Sequence, residues 1–189
     1  DAVKQNKLYA LREPDTRNVV EMADANNIFH LIVTMAWKTG DPGVLFIDRI
    51  NKSNPLPEIS RIETTDPCGD QLLLPYDGGN LGAVNLAKFV KHKKIQWKHL
   101  DEVIKLSVRF LDNIVDLSQF PVNKIGEMVK NNRRIGLGVM GFADMLYKLE
   151  VPYNSDKALE IADKVMKEIS NMAFETSKEL ALEKGAFKL

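Results

Sequence analysis

The sequence predicts an α/β fold in which short apolar strands lie buried beneath helices. Apolar residues recur at helical spacing in several long segments, apolar runs of strand length fall between them, and turns such as Asp41-Pro42-Gly43 and Asp77-Gly78-Gly79-Asn80 separate the two kinds. Strands that alternate with helices make a layered or barrel arrangement with parallel strands. No repeat, low-complexity tract or linker interrupts the pattern, so residues 1–189 read as a single domain.

Residues 1–18 have mixed polarity and read as a loop leading into a helix. Over residues 19–38, Val20, Ala23, Ile28, Leu31, Ile32, Met35 and Ala36 recur at helical spacing, and Gly40 suits the stop. Residues 44–48 are a short apolar run expected in a buried sheet, and residues 51–58, with Pro55 and Pro57, a surface connection. Residues 71–74 and 81–86 read as extended, with the Asp77–Asn80 turn between them. Residues 97–116 put Leu100, Ile104, Val108, Leu111 and Val115 on one face of an amphipathic helix. Residues 121–131 read as a shorter helix, 135–139 as a strand and 142–149 as a helix. A last long helix runs from the N-cap Ser155 to Gly185.

Composition narrows the function. Hydrophobic residues make 44% and charged residues 28% of the chain, and no apolar run nears the ~20 residues that cross a bilayer, so a membrane protein and a disordered chain are both excluded. Basic and acidic residues balance, 26 against 26, which leaves no electrostatic footprint for nucleic acid. The short basic clusters, Lys91 to Lys94 and Arg133-Arg134, read as solvated turns. No secretory signal opens the chain and Asp1 stands where an initiator Met would be, so a piece cut from a longer chain is expected. One cysteine allows no internal disulfide and points to a reducing, cytoplasmic compartment.

Gly136-Leu137-Gly138-Val139-Met140-Gly141 satisfies the dinucleotide-binding pattern G-x-G-x-x-G, but that fingerprint follows a buried strand, whereas Asn131, Asn132, Arg133 and Arg134 precede this one. The strand is expected to run through the glycines, with a nicotinamide or flavin site as the lesser alternative. His30, His92 and His99 lack metal-ligand spacing and read as structural or surface residues. A lone cysteine is most often a small buried hydrophobe. Cys68, however, sits in a Pro67-Cys68-Gly69 turn with Asp66 and Asp70 on either side. Carboxylates disfavour a thiolate, so a neutral thiol acting by hydrogen-atom transfer suits this turn better than a nucleophile.

These residues resemble the catalytic (large) chain of ribonucleotide reductase, most of all its adenosylcobalamin-dependent, class II type. That family's finger loop reads Asn-Pro-Cys-Gly-Glu-Gln and is followed by Cys-Asn-Leu-Gly-Ser-Ile-Asn-Leu; here the runs are Asp66-Pro67-Cys68-Gly69-Asp70-Gln71 and Gly79-Asn80-Leu81-Gly82-Ala83-Val84-Asn85-Leu86. Ala36 to Gly43, Phe46 to Asn51 and Asn132 to Gly141 also match, in order. The resemblance implies part of a ten-stranded α/β barrel, helix-rich with short buried strands, in which a finger loop carries Cys68 to the centre. It implies that Cys68 becomes the thiyl radical that takes the substrate's 3′ hydrogen, that Asp70 is the general base on the 3′ hydroxyl, and that Asp66 hydrogen-bonds the ribose. The implied cofactor is adenosylcobalamin, or else a radical supplied by a separate metal-containing subunit. The implied partners are a ribonucleoside di- or triphosphate and the remaining segments of the catalytic chain or a second copy, with no nucleic acid and no membrane.

The departures fall in the site. Gly79 stands where the family has one of its two reducing cysteines, and glycine donates no hydrogen. Asp70 is a methylene shorter than glutamate, and a displacement of ~1 Å in such a group lowers a rate by about a hundredfold. Asp66 replaces a neutral amide, so two carboxylates face each other and at least one is expected to hold its proton more tightly. Two readings follow: a reductase segment inactive in isolation, and a non-catalytic, diverged paralogue that keeps the fold.

Overall fold

A computed structural model describes all 189 residues, which divide into two compact units, Asp1–Ile47 and Asp48–Leu189. In the first unit, strands β1 (Leu8–Arg12) and β2 (Val19–Asp24) pair antiparallel, with an irregularity between Leu11 and Arg12, and helix α1 spans Ala25–Thr39. The expected helix from residue 19 and the expected loop before it are therefore corrected. Asp24 caps α1 by accepting hydrogen bonds from the Asn26 and Asn27 amides at 2.8 and 3.2 Å, so the helix starts there. Upstream of the cap, β-branched Val19 and Val20 favour an extended ladder. Gly40 ends α1 with φ 84°, the left-handed conformation that glycine adopts without strain. Ala25 is the one buried residue of this unit, while Val20 (72%) and Trp37 (81%) stand exposed.

The second unit opens with α2 (Ile47–Lys52), so residues 44–48 are not a strand; Val44, Leu45 and Phe46 lie exposed before the helix. An apolar run becomes a strand only against a neighbour's ladder, and no strand pairs with it here. The antiparallel β3 (Thr64–Thr65) and β4 (Leu72–Leu73) then form a hairpin whose turn holds Cys68. Next comes β5 (Asn80–Asn85), a 3₁₀ turn, and the tight hairpin β6 (Val90–Lys91) and β7 (Lys94–Ile95). His92 and Lys93 both have positive φ there, the two-residue turn that suits strand twist. Helices α3 (Trp97–Leu117) and α4 (Asn123–Asn132) lead to β8 (Ile135–Met140), then α5 (Phe142–Lys148) and α6 (Asp156–Lys184). Ser155 caps α6 through the Ala158 amide, as its sequence predicts.

β5 and β8 pair in parallel, Asn80 opposite Ile135 through Asn85 opposite Met140. The strand thus runs through the glycines of the G-x-G-x-x-G pattern, as expected. The core lies to one side of this pair, where Val84, Leu86, Phe89, Leu100, Ile104 and Val108 meet Met145, Val165, Ile169 and Leu180. The other side is open, with Leu81, Ala83, Gly138 and Met140 exposed, so the expected burial of strands under helices holds for one face only. The eight strands make four separate two-stranded sheets, of which only β5–β8 is parallel, and none closes on itself.

Candidate functional site

The turn between β3 and β4 is built around Asp66. Its Oδ1 accepts the amides of Gly69 (3.1 Å) and Gln71 (3.0 Å), and its own amide donates to the Gln71 carbonyl at 3.1 Å. Asp side chains satisfy nearby backbone donors in this way, which makes the turn rigid without regular structure. Gly69 takes φ 82°, a conformation open to glycine. The result is an exposed Cys68 whose Sγ lies within 4.8 Å of carboxylate oxygens of both Asp66 and Asp70.

The two acids are not equivalent. The Gln71 amide holds the Asp66 carboxyl below the usual carboxylate range, against some desolvation and with help from Asp70 and the Gly69 amide. Asp70 moves the other way, because its carboxyl shares a hydrogen bond with Asp66 and loses some solvent. Asp66 therefore gives up its proton more readily and Asp70 holds its own more tightly, as expected of two adjacent carboxyls.

Asp70 borders a recess of about 540 Å³ on the open side of β5–β8, where Leu81, Ala83, Gly136 and Gly138 also line it. A Cβ at Gly138 would meet only the Gly82 carbonyl, at 3.8 Å, so this floor is backbone over which a flat or ring-shaped ligand can lie close. A larger open recess of about 830 Å³, lined by residues including Phe120, Lys130 and Lys188, shares no residue with the cysteine turn.

Behind the turn, the fully buried Asp77 carboxylate (0% exposed) accepts Arg134 Nε at 2.8 Å, Asn132 Nδ2 at 2.6 Å and the Gly78 amide at 2.8 Å. Arg133 is likewise paired, with Asp112 and Asp116 at 2.7 Å each. These arginine side chains are only 18% and 19% exposed, which corrects the reading of Arg133-Arg134 as a solvated turn. Their partners lie many residues away in sequence, on α3 and in the Asp77 turn.

The family model described as ribonucleotide reductase, barrel domain, matches residues 2–189. The chain belongs to the ribonucleotide reductase family. It is 46% identical over 188 residues to a vitamin B12-dependent ribonucleoside-diphosphate reductase of Thermoplasma acidophilum, covering 99% of this chain and 24% of that protein. It is 43% identical over 186 residues to the enzyme of that name from Mycobacterium tuberculosis, covering 98% of this chain and 27% of that one. A ribonucleoside-diphosphate reductase subunit alpha of Chlamydia trachomatis is 32% identical over 182 residues, or 93% of this chain and 17% of that protein. The chain spans about a quarter of the length of the first two relatives.

Of the residues singled out in this member of the ribonucleotide reductase family, Cys68, Asp66 and Asp70 come together, whereas Gly79 sits just before β5 against the Gln71 side chain. The three histidines are exposed and outside the cluster. Sequence reasoning missed Gln71, Asp77, Asn132 and Arg134. The one local signal was the Asp at the head of Asp77-Gly78-Gly79-Asn80, a residue that commonly caps its own turn.

Proposed function

We propose that this chain is a central segment of a ribonucleotide reductase catalytic chain, and that its cysteine turn carries the reaction centre for conversion of ribonucleoside di- or triphosphates to deoxyribonucleotides. The observation that supports this best is the Asp66–Cys68–Asp70 cluster beside the glycine-floored recess. The remaining segments of the same chain, or a second copy, would complete a ten-stranded barrel around it in the cytoplasm. The uncovered side of β5–β8 and the exposed apolar side chains of α1 support that reading.

In this scheme Cys68, as a thiyl radical, takes the hydrogen from C3′ of the ribose, and the S–H bond forms as the C–H bond breaks. Asp70 accepts the 3′-hydroxyl proton, a task for which its raised proton affinity suits it. Water leaves from C2′ with that carbon's hydroxyl, two electrons and two protons enter from a reductant, and Cys68 returns its hydrogen to C3′. One oxygen of Asp66 is held by the turn's amides, so the other is left for the ribose. Closing the barrel would exclude water and competing hydrogen donors from the radical.

Adenosylcobalamin is the radical source we assign, from the names of the relatives; a separate metal-containing subunit is the alternative. Bound adenosylcobalamin supplies a radical by homolysis. The cluster itself offers two carboxylates and a thiol with no imidazole, a donor set that does not fit this cofactor. The group would therefore be held by residues outside this cluster, and the steps above use the chain's own side chains.

Gly79 favours the second reading, a diverged paralogue, because it removes one reducing thiol. Nucleotide reduction with adenosylcobalamin and a dithiol, with and without complementing segments, separates these readings. We expect no turnover by this chain alone, activity on complementation, and its loss on Cys68→Ala. Full activity of the chain alone would refute the segment reading, and inactivity of a complemented chain would favour the paralogue. Gly138→Ala should leave the fold intact, since its methyl makes only an ordinary van der Waals contact with the Gly82 carbonyl, yet weaken nucleotide binding in the complemented enzyme.

A further inference from the structure

The cysteine turn rests on one buried polar side chain that the reaction scheme does not use. Gln71 is 8% exposed, although it directly follows Asp70 at the mouth of the recess. Its backbone closes the turn, through the two hydrogen bonds it exchanges with Asp66. Its side chain lies across two glycines. A Cβ built on Gly79 would fall on Gln71 Nε2 and come within 2.9 Å of Cδ and Oε1, closer than real Cβ contacts allow. A Cβ on Gly136 would lie 3.8 Å from the same Nε2. Gly136 pairs with Leu81 in the β5–β8 ladder, two residues on from Gly79. The carboxamide thus occupies a slot that exists because position 79 bears no side chain, beside the Leu81 side chain that packs over Gly136.

We propose that Gln71 is the positioning residue that seats the Cys68–Asp70 turn over the β5–β8 floor, and that its carboxamide fills the space left by the thiol the family carries at position 79. A side chain at position 79 would require the amide to take another rotamer; here glycine admits it. The substitution at 79 therefore changes how the turn is held as well as removing a thiol. Gly79→Cys alone puts its Cβ on the carboxamide, so restoring the thiol also evicts Gln71. Because the colliding atoms are the far end of a flexible side chain, eviction should shift the turn more than it lowers global stability. The relevance to catalysis rests on the reductase reading, but the seating itself does not.

Cys68 is the only cysteine, so a trifluoromethyl thiol reagent labels the turn alone. Fluorine NMR of the labelled chain should give one narrow resonance in the parent. Gly79→Ala should displace or split that resonance and speed amide exchange at Gly69 and Gln71 roughly tenfold, with the thermal midpoint little changed. Gln71→Ala should displace the resonance as well, and adding Gly79→Ala to it should change nothing further. An unchanged resonance in Gly79→Ala, or effects of the two changes that simply add, would overturn the proposal. If Gly79→Ala does not fold, Gln71→Asn decides, because it empties the slot without crowding it: a displaced resonance supports the seating and an unchanged one refutes it. Nucleotide reduction is not the readout, so failure of the reductase reading would leave this result standing.

Discussion

At Asp66 one carboxylate oxygen, Oδ1, closes the turn, and the Asp66 carboxylate makes the neighbouring Asp70 hold its proton more tightly. Asparagine at 66 retains a carbonyl oxygen for the Gly69 and Gln71 amides but replaces the second, charged oxygen beside Asp70 with an N–H₂ donor. A donor stabilises the ionised form, whereas the present carboxylate stabilises the protonated one. Asp66→Asn should therefore lower the titration midpoint of Asp70, read from its carboxyl carbon shift against pH; a midpoint that stays or rises would remove Asp66 as the cause of the shift. Both acids and the thiol were legible in Asp-Pro-Cys-Gly-Asp. Which acid ionises the more readily was not, because that follows from where two backbone amides point.

Among the elements, helices were the most legible, because α3 and α6 write their buried faces at a regular spacing and α6 announces its own ends. The first hairpin was hidden, since the apolar pattern of β2 runs on into α1 and only the Asp24 cap separates them. The link between the Asp77 turn and the residue before β8 was hidden too, because Asp77 and Arg134 are 57 residues apart. Removing one partner of a buried pair leaves the other desolvated, which is worse than having neither. Asp77→Ala strands both Arg134 and Asn132 and should lower stability by about 3 kcal/mol in urea denaturation. A loss of a few tenths would show that water replaces the carboxylate.

Across the second unit, α3, the end of α4 and the end of α6 are tied by one ionic cluster: Asp112 and Asp116 meet Arg133 and Lys184. Arg133, with Lys184 behind it and against some desolvation, holds the Asp116 carboxyl down to about 2. Burial pushes Asp112 up, but the Arg133 and Lys184 hydrogen bonds outweigh it and leave this carboxyl low as well. A carboxyl depressed in the folded state adds stability that is complete above its ordinary value and is lost as the pH falls through the folded one. The urea midpoint should thus hold steady at neutral pH and decline from 3.8 toward about 2, and Asp116→Asn should flatten that decline. An equally steep decline in the variant would place the acid sensitivity elsewhere.

Taken by itself, the sequence determined what short-range chemistry controls: helix stripes and caps, the strand through Gly136 and Gly138, the acid-flanked cysteine turn, and the ordered motifs that mark the reductase family. Tertiary structure decided the parallel register of β5 on β8, the burial of Asp77, the pairing of both arginines and the lodging of Gln71 against Gly79. Each of these joins residues through space, and an ion pair or a packed amide is stabilised only once folding has excluded water from it. No local propensity encodes that geometry, so these contacts became visible only when the chain was folded.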